Sequence, residues 1–184
     1  MRLIALCVVC GILLCGCGGE QLDEAMKFRQ KVLESDGCTF QCEITADYLE
    51  KIYTFTMECS VDKAGNMSFQ VIKPDSISGI TGKIDQKGGK LTFDEQALGF
   101  ELLADGYITP VSAPWLWMKT VRGGYIESCC YDDDYYRITC NDSYEEDALQ
   151  VDMWLDADLV PARCEMVWQG RRILSLDVSN FSYL

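Results

Sequence analysis

The hydrophobic positions of this chain change period at Gly37. Before it, residues 20–35 follow a period near 3.6: Leu22, Ala25, Met26, Val32 and Leu33 fall mostly on one stripe, with Glu and Asp early. Gly37 follows as a stop signal, so an amphipathic helix is predicted over 20–35. After it the period is 2. Cys38, Phe40, Cys42, Ile44, Ala46 and Tyr48 share one face, and Thr39, Gln41, Glu43, Thr45 and Asp47 share the other. The next stretch repeats the pattern, with Tyr53, Phe55, Met57, Cys59 and Val61 against Thr54, Thr56, Glu58 and Ser60. A turn at Asp62–Asn66 leads into Met67, Phe69 and Val71. Alternation of this kind belongs to an antiparallel sheet with one wet face, so 38–73 reads as a meander.

The pattern breaks at Pro74-Asp75. Ile77–Ile84 and Lys90–Phe93 predict shorter strands, and residues 97–106 are apolar without a firm period. Ser112 is placed to cap a short helix through Pro114–Lys119, ending before Gly123-Gly124. Strands resume at Tyr125–Tyr131, Tyr135–Asn141, Leu149–Leu155, Arg163–Trp168 and Arg172–Phe181. The fold expected is α+β and mostly β: a leading helix, then roughly eight to ten antiparallel strands in one large curved sheet with helices over one face. No internal repeat and no second domain is visible.

The first residues read differently. One basic residue, Arg2, precedes an apolar run of 12 residues, Leu3–Leu14. A spanning helix needs about 20 apolar residues, so this run fits a secretory signal better than a permanent anchor. Leu14-Cys15-Gly16-Cys17 resembles the lipobox of bacterial lipoproteins. That resemblance implies cleavage after Gly16, a diacylglyceryl thioether on Cys17, and a location outside the cytoplasm on the cell membrane. It divides the chain into a signal at 1–16, a lipidated end and short linker at 17–19, and a domain at 20–184.

Charge and cysteine content narrow the chemistry. The net charge is −13, and removing residues 1–16 takes away Arg2 alone, giving −14. Nucleic acid needs clustered cations, so it is excluded as a partner. The chain has no histidine, which excludes Ser-His-Asp and Cys-His catalysis and every His-containing metal site. Seven cysteines follow Cys17: Cys38, Cys42, Cys59, Cys129, Cys130, Cys140 and Cys164. Seven is odd, so at least one is unpaired within the chain, and the pairing stays open. Several lie on apolar strand faces, where packing explains them better than a metal site. The acidic groups at Asp132–Asp134 and Asp142–Asp147 lack the spacing of a calcium loop and read as solvated turns. No metal, no cofactor and no enzymatic activity is expected.

The closing pattern Val151-Asp152-Met153-Trp154-Leu155-Asp156, Val160-Pro161-Ala162-Arg163-Cys164-Glu165-Met166, Gly170-Arg171-Arg172-Ile173-Leu174 and Asn180-Phe181 resembles the outer-membrane lipoprotein carrier family. That family includes lipoprotein localization factors A and B, mycobacterial relatives and small clostridial lipoproteins, some linked to spore germination. The resemblance implies an unclosed barrel holding an apolar cavity, with an N-terminal helix and short lid helices on the concave side. Cavity or lid candidates are then Phe40, Cys42, Ile44, Phe55, Met57, Phe69, Val151 and Met153 on strands, with Trp115, Leu116, Trp117 and Met118 in the lid. Trp115 and Trp117 are two apart and diverge on a helix, which fits either one core and one surface tryptophan or a lid or partner-facing patch. The resemblance also implies an arginine that holds the lid, to be sought among Arg122, Arg137, Arg163, Arg171 and Arg172. The function implied is non-enzymatic binding of a lipid or acyl chain. The alternative is an interaction module that docks or regulates a cell-wall or germination enzyme.

Overall fold

The computed structural model describes residues 19–93, 96–100, 103–104 and 107–184. The signal at 1–16 and Cys17 lie outside the described residues. Helix α1, Gly19–Glu34, is followed by β1 (Gly37–Asp47), β2 (Ile52–Asp62), β3 (Met67–Lys73), β4 (Thr81–Asp85), β5 (Gly88–Phe93) and β6 (Gln96–Phe100). A two-residue pair, β7 (Leu103–Ala104) and β8 (Tyr107–Ile108), leads to a 3-10 turn at Pro110–Ser112 and helix α2, Ala113–Gly123. Then come β9 (Tyr125–Asp132), β10 (Tyr135–Asn141), β11 (Gln150–Leu155), β12 (Pro161–Trp168) and β13 (Arg171–Tyr183).

Eleven strands form one antiparallel sheet in the order β6-β5-β4-β3-β2-β1-β13-β12-β11-β10-β9. Its edges, β6 and β9, are not paired to each other, so the sheet is an unclosed barrel, as expected. The strands are more numerous than expected because the apolar stretch without a period supplies β6 to β8. Expected strand Ile77–Ile84 starts only at Thr81: Ile77 and Ile80 belong to a turn that closes back on Pro74 and Val71. β1 pairs with β2 on one side and with the last strand, β13, on the other. Register shifts at Thr39/Gln41, Thr56/Met57, Thr139/Cys140 and Met166/Val167 bend the sheet. Opposite the first of them, Asn180 adopts φ 53°, the left-handed region that Asn tolerates.

The alternating residues of β1 to β3 and β10 to β13 face the helices and form one core. Helix α1 buries Ala25, Phe28 and Val32 against it. The buried stripe is therefore rotated from the expected one, and Leu22, Met26 and Leu33 are exposed. Phe28, three residues from Ala25 and four from Val32, supplies the bulk that fixes this rotation. In α2, Ala113 to Met118, Thr120 and Val121 are all buried, while Lys119 is exposed. Ser112 sits at the N-cap of α2 but its hydroxyl accepts no capping bond from the first turn; it donates to Thr109 O at 2.7 Å.

Candidate binding surfaces inside and outside the half-barrel

The inner face is where the resemblance places an acyl cavity. Phe40, Ile44, Phe55, Met57, Phe69, Val151 and Met153 all lie there, buried. Trp115, Trp117 and Met118 press down from α2 and are buried as well. The Phe40 ring meets Trp117 edge-on at 5.3 Å and stacks on Phe181 at 5.9 Å. Both tryptophans are interior, contrary to the divergence expected from their spacing. The reason is that α2 is enclosed on several sides: Trp115 Nε1 donates to Gly65 O at 3.0 Å, under the β2–β3 turn. Trp117 Nε1 finds no partner among the described residues.

Side chains fill the space between helices and sheet. A void of about 10 Å³ remains there, lined by Ala25, Phe28, Arg29, Val121, Ile126, Ile138, Cys140 and Met153. Sites for organic ligands run from about 300 to 1,000 Å³. Among the described residues, the space these side chains leave is far below that needed for an acyl chain.

The two helices are tied to each other by Arg29. Its Nε donates to Val121 O at 2.7 Å and its Nη2 to Gly124 O at 2.8 Å, at the C-terminal end of α2. These carbonyls would otherwise end the helix unsatisfied, and a guanidinium favours that end of the helix dipole. The arginines considered from the sequence do other work. Arg122 donates to Lys63 O, Arg171 to Asp47 O, and Arg163 and Arg172 both meet Glu165. Arg137 pairs with Asp152 at 2.9 Å. Arg29 was missed, although a signal existed: it occupies the apolar stripe of α1, four residues from Ala25 and three from Val32.

All seven described cysteines are free thiols. Cys42 and Cys59 face each other at 4.0 Å across β1 and β2. Burial pushes the Cys38 thiol up to about 12 and Cys140 up to about 11, against Arg122 and Arg29 nearby, which act the other way. Burial also raises Cys59 and Cys164 well above the ordinary thiol range. Thiols held protonated in this way are packing groups rather than nucleophiles. Cys130 alone is exposed.

The outer face is polar and holds the larger spaces. A hollow of about 790 Å³ over β1 to β5 is lined mainly by Thr39, Gln41, Ser60, Gln70, Lys83 and Lys90. A neighbouring hollow of about 770 Å³ shares Ser60, Ser68, Lys83 and Lys90 with it and reaches Asp62 and Lys87. Farther along, Asp152 is buried on the outer face by its own network. It accepts from Thr139 at 2.6 Å and Gln150 at 3.0 Å, besides Arg137. The Arg137 and Arg163 guanidiniums lie 5.1 and 5.5 Å from the Trp154 ring. The two acidic groups noted in the sequence occupy the β9–β10 turn and the β10–β11 loop.

No protein-family model matches the chain, and no curated protein matches it. Solved structures do resemble it. A domain assigned to outer-membrane lipoprotein sorting from Vibrio parahaemolyticus is 9% identical, with a TM-score of 0.51 over 89% of this chain and 92% of that one. A LolA superfamily protein from Nitrosomonas europaea is 11% identical, with a TM-score of 0.46 over 86% and 92%. The CwlD amidase from Clostridioides difficile in complex with the GerS lipoprotein includes a chain 10% identical, with a TM-score of 0.44 over 92% and 98%. At these identities the likeness is one of fold. The chain adopts the helix-covered, unclosed sheet of the lipoprotein-sorting domain.

Proposed function

We propose that this chain, folded as the lipoprotein-sorting domain is, is an envelope lipoprotein held outside the cytoplasm by a lipid on Cys17 and used as a non-enzymatic docking module for an envelope protein. The shared fold supports a binding role in that compartment. A histidine-free chain whose buried thiols stay protonated supports the absence of catalysis. One observation favours the docking reading over the carrier reading: among the described residues, the space under α1 and α2 is filled by side chains, with about 10 Å³ left beside Phe28, Val121 and Met153. The larger spaces are outside, at the hollow lined by Gln41, Gln70, Lys83 and Lys90.

The test uses the lipidated protein in its own membranes. Amine cross-linking through Lys83, Lys87 and Lys90 followed by peptide mass spectrometry is expected to recover one envelope protein joined to this hollow. Native mass spectrometry is expected to show no lipid beyond the one on Cys17. Stoichiometric co-purifying lipid with no cross-linked partner would overturn the docking reading.

The carrier is the second reading, and a specific observation favours it. The inner face is continuously apolar from β3 through β1 and β13 to β10, and two helices cover it. A lipid or acyl chain would meet Phe40, Ile44, Phe55, Met57, Phe69, Val151 and Met153 once Trp115, Trp117 and Met118 lifted away. Arg29 joins α1 to α2, so the helices would have to lift as one body or part at Arg29. Lipid uptake that appears in Arg29→Ala and not in the parent protein would mark this route.

A further inference from the structure

We propose that the domain is seated on the bilayer by a small patch at the start of α1, with Leu22, Met26, Tyr125 and Tyr144 entering the headgroup layer. This rests on the lipid at Cys17 proposed above. Helix α1 begins at Gly19, two residues beyond Cys17. Extended backbone covers about 3.5 Å per residue, so the tether spans at most about 7 Å. A helix rises 1.5 Å per residue, which places Leu22 about 5 Å and Met26 about 10 Å past its first residue. The headgroup layer of one leaflet is about 5–8 Å deep. A tether this short keeps the first turns of α1 beside that layer.

The residues found there suit it. Leu22 is 46% exposed, Met26 48%, Tyr125 47% and Tyr144 86%. Leu22 and Met26 lie four apart and share one face of α1, on the side away from buried Phe28. With Tyr125, Ile126 and Tyr144 they line a single hollow of about 400 Å³. The Tyr125 and Tyr144 rings pack at 4.9 Å. Tyrosine favours the membrane–water interface because its ring is apolar and its hydroxyl is wet. The far end of α1 differs in carrying an exposed ion pair, Asp36 with Lys63 at 2.9 Å, beside exposed Leu33 and Leu184. Glu145, Glu146 and Asp147 follow Tyr144 in the same loop, so the surface accepted is one of low net negative charge.

The experiment reads depth from the protein as it stands on a vesicle. Lipidated protein carrying Tyr144→Trp is placed in vesicles of brominated phosphatidylcholine, and its added emission is compared with that of Leu184→Trp. Leu184 bonds Gly37 at the far end of α1, about 24 Å from the helix start. Most of the added emission is expected to be lost for Tyr144→Trp and kept for Leu184→Trp. Replacing Leu22 and Met26 by Ser is expected to restore the emission of the Tyr144→Trp reporter. Equal quenching at both reporters, no quenching at either, or quenching unchanged by the serine pair overturns the seating. Mass spectrometry of the same sample reads the N-terminus: a Cys17 without lipid overturns the anchor reading and this inference together.

Discussion

The helix-covered part of the sheet and the wing formed by β3 to β5 handle the same alternation in opposite ways. Under α1 and α2 the inward rows are large and complete, and a void of about 10 Å³ is left. In the wing the inward rows thin out. Gly82 stands opposite Phe69, and a Cβ there would come within 2.3 Å of the Phe69 ring, so the phenylalanine lies across the glycine. Outside the wing, polar side chains surround hollows of about 790 and 770 Å³. The apolar face of this molecule holds it together, and the polar face holds the open space. Apolar alternation marks where a sheet is packed and says nothing about where a ligand fits.

The contrast can be broken most directly at Trp117. Trp117→Ala is expected to cost about 3–5 kcal/mol, because Phe40 and Phe181 lose their packing partner and a cavity forms. The urea midpoint reads it, and a shift as small as that of a surface mutation would mean the interior is not close-packed. Next, Arg29→Ala is expected to cost about 1–3 kcal/mol, since two carbonyls lose a charged donor. Hydrogen exchange is expected to rise across α2 and not in β1 or β13. The thiols sharpen the comparison through pH. Cys38 and Cys140 have folded values raised to about 12 and about 11 from an ordinary 9.0, so the folded state binds their protons more tightly. Their contribution is complete below pH 9 and is lost as pH rises toward 11–12. Thermal melts are expected to be flat across pH 7–8 and to fall above 9, with Cys38→Ser flattening the fall. Smallest of all, Lys83→Ala or Gln70→Ala in the outer hollow is expected to change stability by no more than about 0.5 kcal/mol while reducing partner capture.

Much of the fold was legible because alternation in β1 to β3 and in β10, β11 and β12 is local and one-sided. Cys38, Phe40, Cys42, Ile44 and Ala46 are all buried, in the order the period gives. Tyr53, second residue of β2, departs from the pattern: it is exposed although its register partner Ala46 is buried. The burial of both Trp115 and Trp117 was written in the apolar run Ala113–Met118, which marks a helix enclosed all round rather than an amphipathic one. Arg29 was legible as a cation on an apolar stripe. The outer hollows were not, since they arise from curvature and from the order of strands, and neither has a local code.

That order has a consequence for how the chain is made. β1 is synthesised long before its partner β13, with Cys38 paired to Tyr183. β12 in turn rests on β13, and β11, β10 and β9 are joined to the rest of the sheet through them. A nascent chain that ends before Arg171 holds two separate meanders with no strand between them. Contacts separated by most of the chain are slow to form, and here they cannot begin until the thirteen residues of β13 exist. Loss of the C-terminal strand therefore acts on the middle of the sheet, not on its margin. A chain of this design keeps its two meanders unjoined until β13 is in place between them.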